Sequence, residues 1–180
     1  MSHSEVKLLV GLGNPGKEYE RTRHNMGAMV IEEMVNRCGE TLKRNQVCES
    51  SVYVKPIGQK LVFAVPRTYM NQSGRAVQRL MRFYGVSIEN LLVIIDDIET
   101  PKGEARVAVN GGTRGHNGIR SIHSIVGKEF TQLRVGVGRP AQESVSDYVL
   151  SPFTNEERED LPEVIDRSIS YIQEWVEKDL

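Results

Sequence analysis

The chain has 180 residues and a formal net charge of −1, with 39% apolar and 26% charged residues. This composition is typical of a globular domain, and no run approaches the roughly 18 apolar residues that cross a membrane. Two cysteines without a C-x-x-C spacing argue against a disulfide scaffold or a structural zinc site. These features predict one domain, residues 1–180, and the start "MSHSEVK", which has no apolar signal-peptide region, predicts a cytosolic protein.

The first predicted elements are a strand, a helix, a hairpin and a second helix. Residues 6–10 are expected to form a short buried strand that leads into a glycine loop. From Met26 onward the apolar residues have helical spacing, and Asn25 is the expected N-cap. The stretch "SSVYVKPIGQKLVFAV" predicts two strands that turn at residues 57–58. A further helix is expected over residues 76–84 and ends at Gly85.

The second half of the chain contains the strongest signal for a buried strand, "LLVII" at residues 91–95. The segments "EARVAV" and "QLRVGVG" predict two more strands, separated by the loop "GGTRGHNG" and a helix that ends at Gly127. Thr154 and Glu157 predict a capping box for a last helix. Strands and helices mixed in this way favour an α/β fold, in which a mixed central sheet is flanked by helices in a single three-layer domain.

The first loop, "GLGNPG" at residues 11–16, matches the G-x-G-x-x-G pattern of dinucleotide-binding folds. Such a site needs its last glycine to open a helix and an acidic residue about 20 positions later. Here "KEYERTRHN" separates the loop from the next helix, and Asn36 lies where the acidic residue is required. We therefore expect no dinucleotide. The glycines and Pro15 are instead expected to form a rigid turn that presents Asn14.

Polar residues follow several predicted strands. Asn14, Asn71 and Asn117 each lie at a strand-to-helix transition, and Asp96 ends the most buried strand. Ligands of α/β sheets bind outside the carboxyl ends of the strands, so these four side chains are expected to converge on one site.

Two of the four histidines are candidates for that site. His3 lies in the polar start and His123 in the middle of a predicted helix, which leaves His24 and His116. A histidine and an aspartate without a neighbouring serine or cysteine nucleophile favour the activation of water over a covalent intermediate.

Five motifs, in order along the chain, resemble the bacterial peptidyl-tRNA hydrolase family. They are "GLGNPG…Y…TRHNMG", "PRTYMNQSG", "DDIE" after an apolar strand, "GHNG" and "LRVGVGRP", and they extend over residues 8–140. The resemblance implies a cytosolic and usually monomeric esterase that needs no metal or cofactor. Its substrate would be peptidyl-tRNA released prematurely from ribosomes, cleaved at the ester between the peptide and the terminal ribose, with no membrane partner.

The resemblance also implies a role for each matching residue. His24 would be the general base, and Asp96 would orient it and stabilise its protonated form. Asn14 would contact the substrate near the ester and help to distinguish N-blocked peptidyl ends from free aminoacyl ends. The further residues expected to bind the peptide or the tRNA end, or to support the site, are Tyr19, Tyr69, Met70, Asn71, Asn117, Arg134 and His116, the last as a lesser, structural member.

The expected tRNA clamp departs from the family pattern. Thr113 and Arg114 replace residues that are often small, and Ala108 stands where the family often has a lysine that helps to hold the tRNA 5′ phosphate. Arg106 is expected to share a strand face with Ala108, so we predict that it replaces this lysine beside Arg134. Arg114 is another candidate, and the alternative is that Arg106 is merely solvated. Residues 154–180, with nine acidic and three basic side chains, carry −6, which leaves +5 for residues 1–153.

The main alternative function is a non-catalytic RNA-binding relative of the same fold, such as the chloroplast splicing factors that resemble these hydrolases. The joint presence of His24, Asp96 and the three amides argues against it. No transit peptide is visible either.

Overall fold

The computed structural model describes residues 5–56 and 58–178. His3 and the predicted turn residue Ile57 lie outside this part of the chain. The strands of the described residues are β1 (Lys7–Gly11), β2 (Lys43–Asn45), β3 (Ser50–Lys55), β4 (Leu61–Pro66), β5 (Leu91–Asp97), β6 (Ala105–Val109) and β7 (Thr131–Gly136). The helices are α1 (Met26–Arg37), α2 (Ser73–Tyr84), α3 (Asn117–Ile125), α4 (Val145–Val149) and α5 (Asn155–Glu177).

The strands form one mixed sheet in the order β2-β3-β4-β1-β5-β7-β6. Strand β1 pairs in parallel with both β4 and β5, and β7 pairs in parallel with β5. Strands β2, β3 and β6 add antiparallel pairs toward the two edges. The carboxyl ends of β1, β4, β5 and β7 therefore meet at one side of the sheet, which is where Asn14 follows β1, Asn71 follows β4 and Asp96 lies near the end of β5.

Helices cover both faces of the sheet. Successive side chains of a strand point to opposite faces, and the buried residues separate accordingly into two clusters. Leu9 and Ile94 pack in one cluster with residues of α1 and α5, whereas Val10 and Val93 pack in the other with residues of α2 and α3. This arrangement confirms the predicted three-layer α/β architecture. None of the helices in the described residues has the length and apolar character needed to cross a membrane.

Helix α1 begins in direct contact with the sheet. A Cβ added at Gly27 would lie 2.0 Å from the carbonyl oxygen of Ile94, so only glycine permits this approach. The backbone N–H of Ala28 donates to the carbonyl of Leu12 at 3.1 Å, which fixes the same junction. Because His24 precedes Gly27 by three residues, the junction holds the histidine above the end of β5.

Most of the predicted elements are confirmed, including the β3–β4 hairpin strands and the end of α2 at Gly85, which has a φ of 68°. The predicted capping box is confirmed by reciprocal bonds between Thr154 and Glu157. Asn25 occupies the N-cap position of α1, but its side chain makes no capping hydrogen bond and binds the Asn14 loop instead. Strand β2 and helix α4 were not predicted, because each is too short to show a periodic pattern.

Candidate active site

His24 and Asp96 meet at the carboxyl side of the sheet. Asp96 is buried near the end of β5, and His24 lies on a short 3₁₀ turn, Arg23–Asn25, directly before α1. His24 Nδ1 is 2.9 Å from Asp96 Oδ1 and 3.0 Å from Asp96 Oδ2. The neutral ring therefore carries its proton on Nδ1, where it is donated to the carboxylate. His24 Nε2 has no hydrogen-bond partner among the described residues and is the nitrogen that can accept a proton.

His116 is a second histidine on the same carboxylate. Its Nδ1 accepts hydrogen bonds from the backbone N–H groups of Gly118 and Ile119, at 3.1 and 3.3 Å, and so caps α3. A ring nitrogen can accept only when it carries no proton, so the proton of His116 lies on Nε2, which donates to Asp96 Oδ1 at 3.0 Å. Since both of its nitrogens are engaged, His116 supports Asp96 and has no free nitrogen to act as a base.

The charge of Asp96 governs the protonation of His24. Burial alone would lower the pKa of His24, but the negative charge of Asp96 and its hydrogen bond outweigh burial and raise that pKa above 6.5. Burial would raise the pKa of Asp96, but the two histidines hold it well below its ordinary value. Asp96 is therefore ionised at neutral pH, and it stabilises the imidazolium that forms when His24 takes up a proton.

The glycine loop fixes the orientation of Asn14. A Cβ at Gly13 would lie 2.8 Å from the side chain of Asn25, so the glycine makes room for this neighbour. The amide of Asn25 accepts from Asn14 N at 2.9 Å and donates to Asn14 O at 3.0 Å. Asn14 Oδ1 accepts from the backbone N–H of Met70 at 2.8 Å. The Nδ2 donor of Asn14 has no partner among the described residues and is left for a ligand.

A cleft of about 650 Å³ brings most of the predicted site residues together. The predicted residues that line it are Asn14, His24, Tyr69, Met70, Asn71, Asp96, His116 and Asn117. Tyr69, Asn71 and Asn117 are exposed within it, so their polar groups can reach a ligand. The structure describes all of the predicted site residues. Those that do not line this cleft are Tyr19, Arg106 and Arg134.

His24, Asp96 and His116 also form the group of described residues whose atoms could ligate a metal ion, because one atom of each lies within 4.8 Å of the others. The atoms that face one another are His24 Nδ1, Asp96 Oδ1 and His116 Nε2, and they already share hydrogen bonds. A metal at this point would have to displace both ring protons, and it would have to compete with the capping bonds that fix the tautomer of His116.

The arginines near the predicted tRNA clamp differ in how they are held. Arg134 is buried, and it donates to the side chain of Gln132 and to the carbonyl of Gly112, at 3.1 Å each. Arg106 pairs with Arg134 across β6 and β7, so the two side chains share a face of the sheet, and Arg106 contacts Glu104 at 3.4 Å.

From the sequence, Arg114 was only a second candidate for a phosphate contact. In the structure it lines the cleft. Its Nη1 donates to Asp97 Oδ2 at 2.6 Å, and the same oxygen accepts from Thr100 Oγ1 at 2.6 Å. Burial and the positive charge of Arg114 lower the pKa of Arg134, with Asp97 opposing them. The guanidinium groups of Arg114 and Arg134 therefore repel each other, and Asp97, which binds Arg114, partly offsets this repulsion.

Helix α4 forms a wall of the cleft that was not predicted. Val145, Ser146, Val149 and Leu150 from this region line the cleft. A signal was present in the sequence: Ser144 caps the helix by accepting from the N–H of Asp147, which is the S-x-x-D pattern of a helix start. The pattern was missed because the helix is only five residues long.

The sequence model of the peptidyl-tRNA hydrolase family matches residues 8–180. The peptidyl-tRNA hydrolase of Aquifex aeolicus is 44% identical over 179 residues, with 96% of this chain and 91% of the relative covered. The corresponding protein of Geobacillus thermodenitrificans is 41% identical over 173 residues, with 95% and 93% covered. A crystal structure of peptidyl-tRNA hydrolase from Acinetobacter baumannii matches with a TM-score of 0.90 and 35% identity, over 99% of this chain and 93% of that one.

Proposed function

The chain belongs to the peptidyl-tRNA hydrolase family, and we propose that it hydrolyses the ester bond of N-blocked peptidyl-tRNA to give free peptide and tRNA. The observation that carries the catalytic part of this proposal is the free Nε2 of His24 beside a cleft, with Nδ1 of the same ring bound to Asp96. The reaction would recycle tRNA from prematurely released chains. We further propose that the protein acts as a monomer in the cytoplasm. Light scattering of the purified protein can test whether it is a monomer.

In the proposed mechanism, His24 Nε2 removes a proton from water as the water oxygen attacks the ester carbonyl carbon. Asp96 stabilises the resulting imidazolium. The tetrahedral intermediate collapses when its bond to the ribose oxygen breaks, and this oxygen takes the proton back from His24. An ester has a good leaving group, so one positioned base and amide donors for the oxyanion are sufficient, without a nucleophilic side chain.

The amides of the cleft provide substrate recognition that is independent of the peptide sequence. Asn14 Nδ2 is a donor with no partner among the described residues, and it can bind a carbonyl oxygen near the ester. Asn71 and Asn117 are exposed in the same cleft and can bind the peptide backbone. A free α-ammonium group would have to lose its water in a neutral, amide-lined site, whereas an N-blocked end presents an ordinary peptide group.

The tRNA would be held mainly through its phosphates. Arg134 with Arg106, or with Arg114, provides the positive groups on the β6–β7 side of the cleft. Tyr69 lies in the cleft and is 58% exposed, so its ring can contact the terminal nucleotide, and Tyr19 is proposed as a second contact. Such contacts give affinity with little sequence information, which suits an enzyme that must accept every tRNA.

The test is cleavage of an N-acetylated aminoacyl-tRNA by the purified chain, compared with the same aminoacyl-tRNA without the acetyl group. The mixture contains EDTA, because the proposal requires no metal. We expect enzyme-dependent release of tRNA from the acetylated substrate and little release from the free one. Tight binding of tRNA without cleavage would instead favour a non-catalytic RNA-binding protein.

A further inference from the structure

Three consecutive buried residues connect the catalytic turn to three different parts of the molecule. Arg23, His24 and Asn25 are 6%, 8% and 5% exposed. His24 binds Asp96 of β5, and Asn25 binds the backbone of Asn14. Arg23 extends toward α4 and α5 instead. Because the three residues form one turn of 3₁₀ helix, a shift of Arg23 would also move His24.

The guanidinium of Arg23 is held by groups from two helices. Its Nε and Nη2 donate to the carboxylate of Glu157 at 3.2 and 2.7 Å, and its Nη1 donates to the carbonyl of Tyr148 at 3.0 Å. The guanidinium carbon also lies 4.0 Å from the ring centroid of Tyr148. This planar group therefore fixes α4, which contains Tyr148, against the first turn of α5, which contains Glu157.

Glu157 is a permanent counter-ion for Arg23. Its side chain is 5% exposed, and burial would raise its pKa, but hydrogen bonds from Arg23 and Thr154 lower that pKa to about 2. The carboxylate is therefore ionised at any pH at which the enzyme is expected to work. The exposed side chain of Lys102 places its Nζ 3.4 Å from the same carboxylate.

Backbone bonds join the same segments. The N–H of Arg23 donates to the carbonyl of Ser151 at 3.2 Å, and the N–H of Phe153 donates to the carbonyl of Arg21 at 3.3 Å. These bonds attach the turn to the segment that directly follows α4. Side chains of α4 itself line the cleft. A five-residue helix is not stable on its own, so the location of α4 depends on such contacts.

We infer that Arg23 is a positioning residue for the proposed hydrolysis, which fixes His24 Nε2 relative to the wall of the cleft formed by α4. Attack by water requires the base and the bound ester to be aligned, and a misplacement of about 1 Å can cost about 100-fold in rate. A lysine at position 23 would keep the charge, but its single nitrogen lacks the planar fork that binds both oxygens of Glu157 and the carbonyl of Tyr148.

The test compares Arg23→Lys with Lys7→Met. Lys7 is buried, and its Nζ donates to the carbonyls of Trp175 and Val176 at the other end of α5. Both substitutions disturb a buried basic side chain that holds α5, but only Arg23 adjoins the catalytic turn. We expect Arg23→Lys to lower kcat by about 10–100-fold, with KM changed by less than about threefold. At temperatures below its own Tm, Lys7→Met should keep the wild-type kcat, even if this Tm is lower than that of Arg23→Lys.

A second readout does not depend on activity. The Nδ1 proton of His24 should give a downfield proton NMR signal in the wild type, because it is shared with Asp96. This signal should shift or broaden in Arg23→Lys and stay unchanged in Lys7→Met. If the wild type cleaves no N-acetylated aminoacyl-tRNA, the proposed function fails, and the NMR signal still decides the role of Arg23.

If circular dichroism indicates that Arg23→Lys is unfolded, Glu157→Gln replaces it, since the amide keeps the shape of the carboxylate and removes its charge. The same loss of kcat and the same change in the NMR signal are expected. A folded variant with wild-type kcat and an unchanged signal would overturn the inference. An equal loss of kcat in Lys7→Met would overturn it as well, because Arg23 would then act only through general stability.

Discussion

Two neighbouring regions hold their charged groups in opposite ways. In the proposed catalytic cluster (His24, Asp96 and His116), each residue is less than one-tenth exposed, and the three are joined by hydrogen bonds. In the basic edge (Arg106, Arg114 and Arg134), the side chains of Arg106 and Arg114 are 56% and 36% exposed, and only Arg134 is buried. Buried groups with fixed tautomers are prepared for proton transfer, whereas exposed arginines can adapt to phosphates whose positions vary among tRNAs.

The difference separates two kinds of variant. Changes in the catalytic cluster should lower kcat to the same extent at low and high salt, because the buried contacts are poorly screened. Changes in the basic edge should alter the binding of tRNA and its salt dependence, while kcat at saturating substrate stays close to that of the wild type.

The largest effect is expected for His24→Ala, which should lower kcat by about 10²–10⁴-fold, because a positioned general base contributes this much to a rate. The measurement is cleavage of N-acetylated aminoacyl-tRNA by protein whose fold is checked by circular dichroism. His123→Ala is the matched control, since His123 is a partly buried histidine that lies outside the cleft, against Phe130. Near-normal turnover of folded His24→Ala would contradict the proposed mechanism.

A loss of about 100-fold, the low end of what a positioned base contributes, is expected for Asp96→Asn, because the amide can place its N–H₂ group against His24 and stabilise the wrong tautomer. Asp97→Asn is the comparison, since Asp97 binds Thr100 and Arg114 and touches neither histidine. It should cost less than Asp96→Asn in single-turnover cleavage at saturating enzyme. A larger loss of rate in Asp97→Asn than in Asp96→Asn would assign the support of His24 to Asp97.

The preference for N-blocked substrates should fall about tenfold in Asn14→Asp. One carboxylate oxygen can keep the bond to Met70 N, and the other replaces the free Nδ2 donor with a negative acceptor that attracts a free α-amine. The ratio of kcat/KM for acetylated and free aminoacyl-tRNA measures this preference. Asn71→Asp introduces the same charge at an exposed amide of the cleft, so selectivity lost equally in both variants would show that charge alone is responsible.

The rate of the wild type should depend on pH through the catalytic cluster. His24 acts as a base only when it is unprotonated, so kcat/KM should rise with pH through an apparent pKa above 6.5. In Asp96→Asn the charge and the ionic hydrogen bond that raise this pKa are lost while burial remains, so the inflection should move to lower pH. Stopped-time assays corrected for spontaneous ester hydrolysis measure both profiles, and an inflection that moves upward would contradict this assignment.

The smallest effect is expected in the basic edge. If Arg106 holds a phosphate, Arg106→Ala should reduce the slope of log K against log salt by about 0.7–0.9 and weaken all tRNAs alike. Fluorescence anisotropy of labelled tRNA at several salt concentrations gives this slope. Arg158→Ala, which removes an exposed arginine from the acidic helix α5, is the charge-matched control. An unchanged slope would leave Arg106 as a solvated residue and would make Arg114, which lines the cleft, the next substitution.

Sequence reasoning was most successful where function depends on short local patterns. The glycine loop, "LLVII" and "GHNG" each place a polar residue at the end of a strand or the start of a helix, so the meeting of Asn14 and Asp96 could be predicted from the rule that ligand sites of α/β sheets lie at the carboxyl ends of strands. It failed where a side chain could bind either its own helix end or another segment. Asn25 has the residue type and position of an N-cap, yet its amide binds Asn14, because tertiary contact offered it two backbone partners instead of one.

The sequence by itself determined the α/β fold, the order of the strands along the chain and the polar residues that end them, since these depend on periodicity and on glycine, which act over a few residues. Only the tertiary structure decided which nitrogen of His24 is free, which tautomer His116 adopts and what Arg23 binds. The partners concerned, Asp96, Gly118 with Ile119, and Glu157 with Tyr148, become neighbours only after the chain has folded. Arg23 and Glu157 are separated by 134 positions, and their pairing follows from the packing of α4 and α5 against the catalytic turn, which no local pattern encodes.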